Sequence, residues 1–107
     1  MMISGKRIRK MHELINENGW VWVFVQDPGK EERYVGQHYQ EDNISFIPAF
    51  IDKEDALKCY GRMKLEMDRK YEAQAVHYDD LIREAAIHGF VVFLLNGQGE
   101  ILDKIIP

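Results

Sequence analysis

From residue 20 onward the chain alternates compact apolar runs with short polar, glycine-containing breaks, and the period of each run predicts its element. Trp20–Gln26 reads W-V-W-V-F-V-Q, with Trp20, Trp22 and Phe24 on one side of a strand and Val21, Val23 and Val25 on the other. Both faces are apolar, so this strand is expected to be central or covered on both sides. Asp27-Pro28-Gly29 signals a turn, and Arg33–Tyr39 is expected to return as a weaker second strand, nearer an edge and interrupted by Gly36. Ile44–Ile51 is the third strand, where Pro48 predicts a bulge or an edge position because proline has no N–H to donate.

The period then changes to that of a helix. Asp52 is placed as an N-cap, with Asp55 three residues on as a short capping-box partner, opening a helix from about Lys53 to Arg69. Its stripe is Ala56, Leu57, Tyr60, Met63, Lys64 and Met67. Glu72–His77 follows as a short strand. Asp79 or Asp80 is expected to cap a further helix carrying Leu81, Ile82, Ala85 and Ala86, ended by Gly89. Phe90–Leu95 is a buried strand, and Asn96-Gly97-Gln98-Gly99 turns the chain into a final strand, Glu100–Ile106. Before all of these, Ser4 or Gly5 opens a first helix with Ile8, Met11, Leu14 and Ile15 on one face, stopped at Asn18-Gly19. The order is α-β-β-β-α-β-α-β-β. It predicts one α+β domain over residues 1–107: a mixed five- to six-stranded sheet with three helices packed on it.

Composition narrows the function classes. At 107 residues and 46% hydrophobic content the chain can bury a core without covalent staples. Net charge is −4, but Lys6, Arg7, Arg9 and Lys10 lie in the first ten residues, leaving 10 basic against 18 acidic side chains, a net −8, over the rest. An acidic body repels a phosphate backbone, so nucleic acid is not the expected partner. The basic N-terminus leads into Met11-His12-Glu13 without an apolar stretch, and the longest apolar runs fall far short of a bilayer span. With Cys59 as the single cysteine, these features predict a cytoplasmic protein with no membrane contact.

Candidate chemistry is sparse. His77-x-Asp79-Asp80, at a strand-to-helix junction, is the nearest approach to a ligand-binding cluster, although one of the acids is needed as a cap. His38 with Glu41 and Asp42 is a polar loop cluster, and His88 suits a helix C-terminus. Cys59 has no base nearby in sequence. No phosphate-cradling loop, nucleophile elbow or paired-histidine metal motif occurs, and none of the spacings implies a cofactor. The aromatic residues of the first strands offer more. Trp20, Trp22, Phe24, Tyr34, Tyr39, Phe46 and Phe50 concentrate in the first three strands, where core packing accounts for most of them. Three helices do not cover a sheet of five or six strands, however, so part of one face is expected to stay apolar and exposed as an interaction surface, with Trp20, Trp22 and Tyr34 as its candidates.

Ile47-Pro48-Ala49-Phe50, followed by Asp52 and the helix through Leu57, resembles the N-terminal domain of the SseB family. Asp80-Leu81, Gly89 and Phe90–Leu95 ending at Asn96 extend the resemblance over about half the chain, Ile44 to Asn96. Gly97 departs from the family pattern, which places proline after the asparagine, and the tryptophan strand lies outside it. Small domains of unknown function from plants and cyanobacteria carry a similar strand and acid-capped helix. Both resemblances imply a fold and supply no catalytic residues. The leading expectation is a non-catalytic interaction or regulatory module that pairs as a homodimer or with another protein. The alternative is a small-ligand or metal-binding sensor built on His77, Asp79 and Asp80; an enzyme comes third.

Overall fold

The computed structural model describes residues 19–41 and 43–107. The expected first helix therefore lies outside the described residues. Gly19 itself adopts φ +72°, a left-handed conformation that glycine reaches without a Cβ clash. Seven strands and two α-helices follow: β1 (Trp20–Gln26), β2 (Arg33–Tyr34), β3 (Gln37–Tyr39), β4 (Ile44–Ala49), α1 (Lys53–Cys59), β5 (Tyr71–His77), α2 (Tyr78–His88), β6 (Val91–Leu95) and β7 (Ile101–Ile105).

The strands form two sheets instead of one. β2-β1-β5 is wholly antiparallel, and β3-β4-β6-β7 contains a single parallel pair, β4 with β6. They meet at one point, where Trp22 and Phe50 exchange both backbone hydrogen bonds at 2.8 Å. From that bridge β1 and β4 diverge, and the expected second strand splits to fill the wedge. Arg33–Tyr34 stays on β1 while Gln37–Tyr39 crosses to β4. Gly36 lies at the crossing, and a Cβ there would stand 2.8 Å from the Phe90 ring.

Pro48 corrects a second expectation. It is buried inside β4, in register with Phe93 of β6, and not at an edge or bulge. Backbone groups alternate edges along a strand, so Pro48 shares the edge of Phe50, which bonds to Trp22. Its missing N–H points toward the wedge, between the end of β3 and the bridge. The ladder to β6 loses nothing.

Two apolar clusters flank the strands, as the two-faced β1 predicts. Val21, Val23, Val25, Ile47, Ala49, Val92 and Leu94 pack against Leu81 and Ala85 of α2. Phe24, Val35, Phe50, Phe93 and Leu95 pack on the other side against Ala56 and Cys59 of α1. Asp52 caps α1 as expected, its carboxylate accepting from the Asp55 N–H at 2.9 Å. The helix is much shorter than its apolar stripe predicts, however. It ends at Cys59 and tightens into a 3₁₀ turn at Tyr60–Arg62. Gly61 disfavours helix, and the Gln37 side chain takes both backbone groups of Lys64, donating to its C=O and accepting from its N–H, each at 2.9 Å. Leu65 reaches the second cluster from this extended segment, and Met67 is fully exposed. Among the described residues no helix is long and apolar enough to cross a membrane.

Candidate binding cleft

The residues singled out at the β5–α2 junction turn out to serve the backbone. His77, not Asp79 or Asp80, is the N-cap of α2: its Nδ1 accepts from the Asp79 N–H at 3.3 Å. Its ring packs edge-on against Trp20, centroids 5.7 Å apart, and lies over Gly19. The nearest Asp79 carboxylate oxygen is 3.9 Å from Nδ1, while Asp80 pairs with Arg83 at 3.0 Å. The two aspartates instead favour the positive end of the α2 dipole. The three side chains therefore do not converge on one point, and no group of three or more metal-ligating residues occurs among the described residues.

The aromatic trio is also dispersed. Trp22 faces the second cluster, with Lys53 Nζ 5.7 Å over its ring, and Trp20 is half exposed beside His77. Tyr34 is paired with Val25 and so sits on the opposite face, against the first cluster. Of the three, only Tyr34 lines a cleft formed by residues of β1–β5, α2 and the segment after α1.

This cleft, of about 1150 Å³, runs beside the segment 33–39 that fills the wedge between β1 and β4. Val25, Ile47, Val76 and Phe90 supply its apolar surface. Gln37, His38 and Ser45 line it from β3 and β4, Gln74 from β5, and Glu84 and His88 from the last turns of α2. Arg33, Lys64, Glu32 and Glu66 place both signs of charge around it. His88 Nε2 lies 3.2 Å from Glu84, an i,i+4 pair that holds both side chains along the helix. Sequence reasoning missed the cleft because its lining comes from chain-distant segments that meet only through the splayed strands.

Burial, followed by the negative charges of Glu84, Asp80 and Glu32, holds the Tyr34 phenol above its ordinary pKa, so the hydroxyl stays a neutral hydrogen-bonding group. Cys59 is buried in the other cluster, away from the cleft, and burial raises its thiol pKa against a smaller opposing effect of Arg62. Comparison with family models, curated proteins and solved structures finds no match to this chain. None of these comparisons supports the resemblance to SseB domains, and any functional reading has to come from the cleft's own chemistry.

Proposed function

We propose that this chain is a non-catalytic protein-interaction module that receives an extended polypeptide segment in the cleft between β1 and β4. The observation that carries the reading is the cleft's form: a volume of about 1150 Å³, lined by apolar and polar side chains together and ringed by charges of both signs. The walls include the short strands β2 and β3, so an occupant is recognised by contacts with their side chains and not by an added strand. An extended peptide presents alternating side chains, apolar toward Val25, Ile47 and Phe90 and charged toward Arg33, Lys64 and Glu84.

Panning a phage-displayed random peptide library against the full chain tests the proposal. Enriched peptides should lose binding at least tenfold to Ser45→Arg, which fills the cleft from an exposed position on β4. They should retain it with Leu57→Arg, on the exposed side of α1 away from the cleft. Failure to enrich any sequence class, or enriched peptides that bind Ser45→Arg undiminished, refutes the reading.

A further inference from the structure

Each sheet has two edges, and three of the four are blunted. β2 and β3 have two and three residues, too short to template a partner strand. β7 carries Asp103 and Lys104, and its ladder to β6 is irregular at Leu94/Leu95. β5 is the least protected, with Glu72 as its one carboxylate. It runs seven residues, Y-E-A-Q-A-V-H, with no proline, lysine or bulge, in unbroken register with β1.

Which of its backbone groups point outward follows from the ladder. Tyr78 donates to the Gly19 carbonyl and Asp27 to that of Lys70, so even-numbered residues of β5 bond to β1. Tyr71, Ala73, Ala75 and His77 therefore turn their N–H and C=O groups to the outer edge, where no strand pairs with them among the described residues. We infer that this edge pairs antiparallel with the β5 of a second copy, about a two-fold axis at Gln74.

Self-complementarity singles out both the partner and the register. With Gln74 on the axis, Ala73 of each copy faces the partner's Ala75, and Tyr71 faces the partner's His77. The carbonyl of His77 is committed to α2 as its N-cap, so the pairing makes roughly six backbone hydrogen bonds: four between the alanines and one from each His77 N–H to a Tyr71 carbonyl. On the same side as the outward alanines no bulky group stands at the centre. On the other side Glu72 lies opposite Val76, so no like charges meet. The two Glu72 carboxylates are four residues apart along the strand, about 13 Å, beyond a Debye length of roughly 8 Å. The result is a closed, isologous dimer. It uses the outer edge of β5; Gln74 and Val76 also line the cleft, but Ala73 and Ala75, whose substitution and amide exchange test the pairing, do not, so either proposal can fail without the other.

Analytical ultracentrifugation of the full chain between about 10 μM and 1 mM should show a reversible monomer–dimer equilibrium. Ala75→Pro removes an outward N–H that β1 does not use, and Ala75→Lys charges the edge. Each should weaken dimerisation at least tenfold, with the far-ultraviolet circular dichroism of the dilute protein unchanged. Should Ala75→Pro misfold, Ala75→Lys carries the test. Amide exchange at Ala73 and Ala75 should slow as concentration rises. Under copper-phenanthroline oxidation Gln74→Cys should cross-link to itself, because directly opposed strand positions match disulfide geometry, whereas Glu72→Cys should not. A strict monomer at 1 mM overturns the inference. So does protection of Ala73 and Ala75 that is independent of concentration, or equal cross-linking by the two cysteine variants.

Discussion

Phe50 is where the two sheets meet, and truncating it measures how much their union depends on side-chain packing. The residue is fully buried, its ring edge-on to Phe24 with centroids 6.1 Å apart, and its backbone exchanges hydrogen bonds with Trp22. Phe50→Ala leaves those backbone bonds in place and removes only the ring. Losing about 150 Å² of buried apolar area at ~25 cal/mol/Å² costs about 4 kcal/mol. The edge-on pair contributes on the order of 1 kcal/mol more, partly offset by collapse of the surroundings, which gives an expected loss of roughly 3–5 kcal/mol. A domain of this size is stable by roughly 5–15 kcal/mol, so the variant should still fold. Urea unfolding followed by the fluorescence of Trp20 and Trp22 reads the effect. With a slope of about 2 kcal/mol/M, the midpoint should fall by about 2 M. Leu57→Ala, at a side chain 55% exposed, should stay within about 0.5 kcal/mol of wild type and serves as the control. A Phe50→Ala loss below about 1 kcal/mol at unchanged slope would refute the packing argument for the junction.

The cap role of His77 predicts that His77→Ala destabilises by about 1 kcal/mol while His77→Asn, a better capping side chain, recovers most of it; equal melting temperatures for the two variants would contradict the cap. Two glycines should respond with opposite signs in the same melting assay. Gly61→Ala meets nothing within 4 Å and should stabilise by roughly 0.4–1 kcal/mol through the unfolded chain, whereas Gly89→Ala, at φ +75°, should destabilise by roughly 1–2 kcal/mol. Burial raises the pKa of Cys59, Tyr34 and Tyr78, so the folded state holds these protons more tightly than the unfolded chain. Their contribution is complete below the unfolded values of about 8.5 for cysteine and 10 for tyrosine and is lost as pH rises through the folded ones. The urea midpoint should accordingly fall between about pH 8 and pH 11; a flat profile would show these groups to be as solvated as in the unfolded chain. Native Cys59 should react with iodoacetamide only as fast as the protein opens, and labelling at the rate of a free thiol would place it at the surface.

Where local signals agreed with one another, the chain was legible in advance. The strand Trp20–Gln26, the Asp52 cap, the stop at Gly89 and the apolar strand ending at Leu95 all stand where pattern and turn chemistry put them. The misreadings share a cause, which is competition from groups distant in sequence. Met63 and Met67 continued the helical stripe of α1, but Gln37, 27 residues earlier, claims the backbone of Lys64. Asp79 and Asp80 looked like caps, yet the imidazole of His77 reaches the Asp79 N–H first. Arg33–Tyr39 read as one strand because nothing within it announces that β1 and β4 diverge on either side.

The sequence by itself determined the α+β class, most element positions, the two-faced burial of β1 and the scarcity of reactive groups, because periodicity and capping are properties of neighbouring residues. Only the tertiary structure decided that the sheet divides at Trp22 and Phe50, that a cleft forms beside the segment filling the wedge between its halves, and that β5 presents a long edge with no paired strand among the described residues. Those features depend on how far two strands separate and on which strand has no neighbour. No local pattern encodes either quantity, since each is set by the packing of every element at once.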